Sequence, residues 1–311
     1  MAWQFDAPSG VYRNHALSDK IRKQALAKTL FFKYLTPEPG FGKKKGESVT
    51  ITRILRLPLA NRVGETDRLP GGRPPIETKT VKISEWGYKV PMTTWETDLT
   101  FYDLPSNIEA VLRDQIELTM DVMAADVFKL SPIKYVPTST GFNLDTDGTP
   151  TGVSDRNLSV ADLRAIHDYL AGDLKAPTMA NGKYVGILST QAARGLKNDP
   201  EYKDWLAPTT SQPLLDGQLK DIEGFSLFET NNFGYERDAL SKFAGTSITT
   251  GESVFFGADS AGLLEIQSPE IRMGVKEDLG RFYEVGWVGK LEGFHTWERA
   301  SLARVVHVTS N

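Results

Sequence analysis

Cysteine is absent from this 311-residue chain, and histidine occurs only four times. Without cysteine the protein has no disulfide and no thiolate metal site, which fits a reducing compartment. The histidines are widely separated and lack the spacing of a metal site: His15, His167, His295 and His307. No apolar run approaches the about 20 residues that cross a bilayer, and the first residues lack a basic-then-apolar secretion signal. We therefore expect a soluble protein made in the cytoplasm, with no cofactor and no membrane partner.

Motifs that carry chemistry are also missing. The stretch GFGKKKGES lacks the Gly-Lys pair at the spacing of a phosphate loop, and it precedes a predicted strand instead of following one. Residues 143–154 begin like a calcium loop, but Asn143 replaces the first Asp and Ser154 replaces the bidentate Glu at position twelve. No serine lies in a Gly-x-Ser-x-Gly setting. The sequence gives little support for an enzyme.

Charge is distributed unevenly along the chain. Residues 1–62 carry twelve Lys or Arg against four Asp or Glu, a net charge of +8. Because the whole chain has a net charge of −4, the remaining residues carry a net charge of −12. The first part includes a predicted helix, residues 18–35, followed by a lysine-rich loop. A basic arm of this kind favours a nearby polyanion, although a solvated surface run is an equal alternative. The basic residues concerned are Lys20, Arg22, Lys23, Lys43, Lys44 and Lys45.

Two alternating runs predict a β-ribbon. Apolar and polar residues alternate in Val49–Leu57 and again in Thr78–Met92, where a phase shift at Glu85 indicates a bulge. About twenty residues rich in Pro, Gly and charge separate the two runs. A ribbon with so long a loop is marginal by itself and needs a partner surface. A disordered loop or an active-site lid is the alternative interpretation.

The longest predicted helix covers Pro105 to Leu130. Apolar residues recur there at steps of three and four, and Pro105 with Ser106 form a typical helix start. We interpret Asp114, Glu117 and Asp121 as its solvated edge. Beyond it, KYVPTSTGFNLDTDGTPTG predicts a turn-rich crossover, SVADLRAIHDYL a helix capped by Ser159, and KYVGILST a buried strand. A short helix, QAARGLKND, and three further strands, in IEGFSLFETNNF, SVFFGADSAG and ARVVHVTS, complete an α+β pattern without strict βαβ alternation.

Taken in order, these segments resemble the major capsid proteins of tailed bacteriophages, most closely the family typified by podophage N-four. The stretches that carry the resemblance cover nearly the whole chain and are SDKIRKQALAKTLFFKYL, KGESVTITRI, TVKISEWGYKVPMT, GQLKDIEGFSLFETNN, SVFFGADSAG and DLGRFYEVGWVGKLEGFHTWERASLARV. The resemblance implies the Hong Kong 97-type α+β fold. Its regions would be an N-terminal arm (1–45), an extended E-loop hairpin (46–95), a P-domain with the spine helix (96–154 and 266–311) and an A-domain (155–265).

The resemblance also implies function and partners. The chain would assemble with itself, as hexamers and pentamers, into an icosahedral shell around double-stranded DNA, in the virion and built in the host cytoplasm. No long segment precedes the arm, so we expect a separate scaffolding protein, together with a portal and a possible decoration protein. Lys79 and Asn61 flank the loop, but nothing marks an activating carboxylate, and we expect no isopeptide cross-link between them.

The loop from Leu59 to Glu77 is the predicted contact between subunits. Its six charges balance to zero: Arg62, Arg68 and Arg73 against Glu65, Asp67 and Glu77. Its prolines limit the entropy lost on docking. The basic arm residues are expected on the inner surface, against the genome. Two other functions stay open at this point: an encapsulin-like shell around protein cargo, and a soluble enzyme with a mobile lid.

Overall fold

The computed structural model describes residues 29–38, 46–60, 62–65, 68–69, 71–100, 103–139, 141–150, 152–206, 221–230, 232–234 and 251–310. The strands are β1 (Thr36–Pro37), β2 (Ser48–Ile54), β3 (Ile76–Lys82), β4 (Ser84–Thr93), β5 (Ile133–Thr138), β6 (Gly141–Asp145), β7 (Tyr184–Leu188), β8 (Phe225–Glu229), β9 (Gly251–Phe256), β10 (Ala261–Met273), β11 (Phe282–His295) and β12 (Val305–Ser310). The α-helices are α1 (Thr94–Leu99), α2 (Leu104–Lys129), α3 (Val160–Asp168), α4 (Thr190–Asn198) and α5 (Pro200–Leu206).

Strands β10 and β11 form the centre of one sheet, in the order β1-β10-β11-β4. Along β11 buried residues alternate with partly exposed ones, and the buried set includes Tyr283, Val285 and Trp287. Because side chains alternate with a period of two residues, one face of the strand lies toward α2. The buried residues of this face belong to the same apolar cluster as Met120 and Met123 of that helix.

The second sheet has the order β6-β5-β12-β9-β7-β8. β7 pairs in parallel with β8 and antiparallel with β9, and all five of its residues are buried. A strand buried on both faces has a continuous apolar run, and the run YVGIL has this character. One face of the sheet packs on α3 and α4, and the other belongs to the cluster that contains α2.

Helix α2 confirms the predicted spine, with 26 residues and a length of about 39 Å at 1.5 Å per residue. Its N-cap is Asp103, whose carboxylate accepts a hydrogen bond from the Ser106 backbone amide. The prediction that Ser106 caps the helix is therefore wrong. Leu130, assigned to the apolar face, is exposed. The interpretation of Asp121 as a solvated edge is wrong, because its side chain is fully buried.

The predicted bulge at Glu85 is also wrong. β3 ends at Lys82 and β4 begins at Ser84, and the two strands belong to different sheets: β3 pairs with β2, whereas β4 pairs with β11. The phase of the alternation shifts because the chain changes sheets at Ile83, not because a residue is inserted within one strand.

Two further predictions differ from the structure, and Pro200, which was expected to end a helix, also begins one. The crossover after α2 contains the β5–β6 hairpin, which forms the edge of the second sheet. Pro200 begins α5 in addition to following α4, a position that suits proline because a first-turn amide needs no partner. Of the helix predicted over 18–35, the described part begins at residue 29 and contains only a 3₁₀ turn, Phe32–Tyr34. In the described part of the chain, no helix combines the length and the apolar character needed to cross a bilayer.

Candidate assembly surface

The β2–β3 ribbon has two different faces. Ser48 pairs with Lys82 and Ile54 with Ile76 at its two ends, and the residues between them alternate in exposure. One face carries Val49, Ile51, Arg53, Glu77, Lys79 and Val81, which are buried or half-buried; the other carries exposed threonines, with Thr50 and Thr80 hydroxyls 3.1 Å apart. Buried Val81 contacts Leu264 of β10 and Phe294 of β11. The ribbon therefore lies with one face on its own chain.

Two cations of the inner face hold the ribbon to one carbonyl. Nη2 of Arg53 donates to the His295 carbonyl oxygen at 3.3 Å, and Nζ of Lys79 donates to the same oxygen at 3.1 Å. Lys79 also forms an ion pair with Glu298. The partner surface expected for the ribbon is supplied in part by its own chain, because segment 295–299 supports the ribbon where its two strands approach the loop.

Glu77 contributes to this attachment. It lies on β3, not in the loop, and its carboxylate is 2.5 Å from a guanidinium nitrogen of Arg299. Arg53 stands directly opposite Glu77 in the ribbon register, and its guanidinium lies over the Trp297 ring at 5.3 Å. Glu77 was predicted to contact another subunit; in the single chain it holds the loop end of the ribbon to Arg299.

His295 lies at the centre of this attachment. Burial lowers the pKa of its imidazole to about 4, and nearby Lys79 and Arg53 act in the same direction. The ring is therefore neutral at pH 7, with Nδ1 2.9 Å from the Trp297 carbonyl oxygen. A neutral ring avoids placing a third cation beside Arg53 and Lys79. The sequence showed His295 only as a scattered histidine.

The residues predicted to form the contact between subunits do not form one site in the single chain. Arg62, Glu65, Arg68 and Arg73 are exposed, and Asp67 lies outside the described residues. The same region exposes large apolar side chains, including Leu59 at 95%. We define the ribbon-tip patch as Ile54, Leu57, Leu59, Leu69 and Ile76. The charges of this loop are evident in the sequence, but the exposure of its apolar residues was not predicted.

A second apolar patch lies at one end of the four-stranded sheet. α1 follows β4 directly, and its Thr94 amide donates to the Arg281 carbonyl in the turn between β10 and β11, at 2.9 Å. The exposed apolar residues carried by α1, by the end of β10, by the turn and by the start of β11 are Trp95, Leu99, Met273, Val275, Leu279 and Phe282, which we call the sheet-end patch. Leu279 is fully exposed and has a φ of 57°. A leucine in the left-handed region is strained, and such strain often marks a functional position.

Features of a catalytic site are scarce. Among the described residues, no group of three or more His, Asp or Glu side chains is arranged to hold a metal ion. A groove of about 370 Å³ lies between β3, the end of α2 and β11, and its lining includes Val81, Val127, Leu130, Phe294 and His295. Two of its charged lining residues, Lys79 and Glu298, are paired with each other. The basic residues predicted for the inner surface, Lys20, Arg22, Lys23, Lys43, Lys44 and Lys45, lie outside the described residues, as does Asn61.

Comparison with protein-family models and with the sequences of curated proteins finds no match. Solved structures do match. The capsid of Helicobacter pylori bacteriophage KHP30 superposes with a TM-score of 0.72 at 14% identity, covering 97% of each chain. The capsid asymmetric unit of cyanophage Pam1 also gives 0.72, at 16% identity, with 99% of each chain covered. Mycobacterium phage Che8 gives 0.65 at 13% identity, covering 96% of this chain and 97% of that one.

These similarities show the fold. The chain has, over nearly its whole length, the α+β architecture of phage capsid structures, so the predicted Hong Kong 97-like fold is confirmed. Sequence identities of 10–16% leave the narrower assignment to the N-four-like family a prediction.

Proposed function

We propose that this chain is the major capsid protein of a tailed bacteriophage and assembles into an icosahedral shell that encloses double-stranded DNA. The observation that carries the proposal is the match to several phage capsid structures over 96–99% of this chain and 92–99% of those chains. This chain performs a structural task and catalyses no reaction.

Contacts between copies use the two apolar patches. The ribbon-tip patch and the sheet-end patch lie on separate elements, so joining one to the other on a second copy makes a head-to-tail contact. Head-to-tail contacts generate closed rings when the rotation between copies closes, which suits hexamers and pentamers. Apolar area that leaves water contributes roughly 25 cal/mol per Å², so a contact of a few hundred Å² outweighs the surface ion pairs of the loop.

Charged loop residues give this contact its specificity. Arg62, Glu65, Arg68 and Arg73 are exposed charges of the loop, and Asp67 adds a further charge in the sequence. Their opposite signs can pair across an interface in one register. Exposed ion pairs contribute only about 0–1 kcal/mol each, but like charges in a wrong register repel. The loop therefore selects the correct neighbour more than it strengthens the contact.

The four regions keep the boundaries given above: arm 1–45, E-loop hairpin 46–95, P-domain 96–154 and 266–311, and A-domain 155–265. Support comes from the ribbon, which is a separate two-stranded sheet, and from α2, which runs as one uninterrupted helix. The six-stranded sheet joins β5, β6 and β12 to β7, β8 and β9, so the P-domain and the A-domain share a layer in this division.

The arm residues Lys20, Arg22, Lys23, Lys43, Lys44 and Lys45 face the genome and bind phosphate without sequence preference. Such binding weakens as salt rises, because each neutralised phosphate releases counterions. A scaffolding protein, a portal and a decoration protein are the further partners of a shell of this kind, and it is built in the host cytoplasm.

The test is electron microscopy of the purified full chain, produced with the scaffolding protein of its phage. Closed shells are expected, and a monomer at every concentration would overturn the proposal. The contents of full particles distinguish a phage capsid from the other candidate, an encapsulin-like compartment. Double-stranded DNA inside supports a capsid, whereas enclosed enzyme cargo without DNA supports the compartment.

A further inference from the structure

Asp121 is a charged side chain in the middle of the buried half of α2. It is 0% exposed, and its neighbours along the helix, Met120, Val122 and Met123, are apolar and buried. A carboxylate removed from water costs free energy unless hydrogen bonds replace its hydration. The hydrogen-bond partners of Asp121 therefore indicate the structural role of this buried side chain.

Each carboxylate oxygen accepts from a different segment of the chain. Oδ1 accepts from the backbone amide of Phe32, at 3.1 Å and 89 positions away. Oδ2 accepts from Nδ2 of Asn232, at 2.6 Å and 111 positions away. Asn232 is itself 1% exposed. One side chain of the spine thus joins two segments that are remote in sequence from it and from each other.

The two segments also contact each other. The rings of Phe31 and Phe233 meet edge to face with centroids 4.9 Å apart, and both rings are buried. Lys129, two turns along α2, donates to the Phe233 carbonyl and pairs with Glu252 of β9 at 2.6 Å. The first segment continues into β1, which pairs in parallel with β10 at Gly262 and Leu263.

We propose that Asp121 is a positioning residue that couples the placement of residues 29–38 on the body to the placement of residues 232–234. The first segment lies within residues 1–45, the arm of the proposed division, and the second follows β8 in the six-stranded sheet. Because both hydrogen bonds end on one carboxylate, loss of either segment leaves a buried charge half-satisfied and weakens the hold on the other. The coupling belongs to the single chain and does not rest on shell formation.

Hydrogen–deuterium exchange on the purified full chain tests this coupling. Asp121→Asn places an amide against the amide of Asn232, and Asn232→Asp places two carboxylates together. Each variant is expected to raise the exchange rate at least tenfold in residues 29–38 and in residues 225–234. The double variant Asp121→Asn/Asn232→Asp restores a donor facing an acceptor, and it should return both segments to within about threefold of the original rates. Glu117→Gln, an exposed change on the same helix, is the matched control and should alter neither segment.

Asn232→Ala decides the case if the charge-altering variants do not fold. It removes one donor without touching Phe32 or α2, so faster exchange in residues 29–38 supports the coupling. Unchanged exchange there overturns it, and so does a double variant that stays as fast as the single ones. Neither outcome depends on whether the chain builds shells, so failure of this inference is distinguishable from failure of the proposed function.

Discussion

Lys79 and the His295 carbonyl, 216 positions apart in sequence, are joined by a 3.1 Å hydrogen bond that fixes the ribbon to the body. Arg53 donates to the same oxygen from the neighbouring strand, at 3.3 Å. Two cations from β2 and β3 on one acceptor hold the ribbon against the body close to the point where the loop begins. We expect this attachment to fix the direction in which the loop extends toward the proposed contact with a second copy.

Replacing Lys79 by Met should loosen the ribbon and leave the body intact. The change removes the bond to His295 and the pair with Glu298, and we expect a loss of about 1–2 kcal/mol in the stability of the ribbon. Exchange of the β2 and β3 amides measures it. Lys82→Met is the matched control, because Lys82 lies on the opposite, exposed face of β3. Equal exchange in the two variants would show that the anchor has no effect.

Shortening the loop should separate folding from assembly. Replacing residues 59–74 with a short Gly-Ser turn leaves β2 and β3 complete, so circular dichroism should stay near that of the original chain. Shell formation should fail or give fragile particles, because the ribbon-tip patch loses Leu59 and Leu69. Electron microscopy of the variant provides the measurement. Stable, normal shells would show that the loop is not a contact between subunits.

Leu279→Asn should weaken assembly without weakening the chain. Asparagine adopts positive φ more readily than leucine, so the turn loses strain and the thermal stability of the unassembled chain should be equal or slightly higher. The fraction assembled, measured by electron microscopy, should fall, because the fully exposed leucine is the outermost apolar residue of the sheet-end patch. Val153→Asn, an exposed apolar change outside both patches, is the control and should leave assembly unchanged.

Acid should destabilise the attachment of the ribbon to the body through His295. Its pKa is lowered to about 4 by burial, against 6.5 for a free imidazole, so the unfolded chain binds more protons between these values. Stability is therefore complete above pH 6.5 and is lost as pH falls through about 4, by roughly 3 kcal/mol in all. Denaturant unfolding of the original chain and of His295→Gln at pH 7 and pH 4.5 measures the effect. The variant should lose less stability on acidification; an equal loss would assign the acid sensitivity to other groups.

Local patterns in the sequence determined much of the architecture. The period of apolar residues placed α2 to within one residue at each end, Ser159 marked the start of α3, and the apolar run in YVGIL predicted β7. These signals are reliable because each depends on a helix or strand period, or on a cap, within a few residues. The charge and proline content of residues 59–77 likewise identified a connection unlike an ordinary tight turn.

Only the tertiary structure decided the features that join distant segments. The long strands β10 and β11 were not predicted. Gly289 and Gly293 occupy buried-face positions of β11, where an apolar side chain would have marked the period, and pairing with each other stabilises the two strands. The break at Ile83 resembled a bulge, because a change of sheet shifts the side-chain phase as an inserted residue does. Glu77 pairs with Arg299, and Asp121 accepts hydrogen bonds from Phe32 and Asn232. These partners are 89 to 222 positions apart in the sequence. Burial of a charge depends on which remote segments cover it, and no local period carries that information.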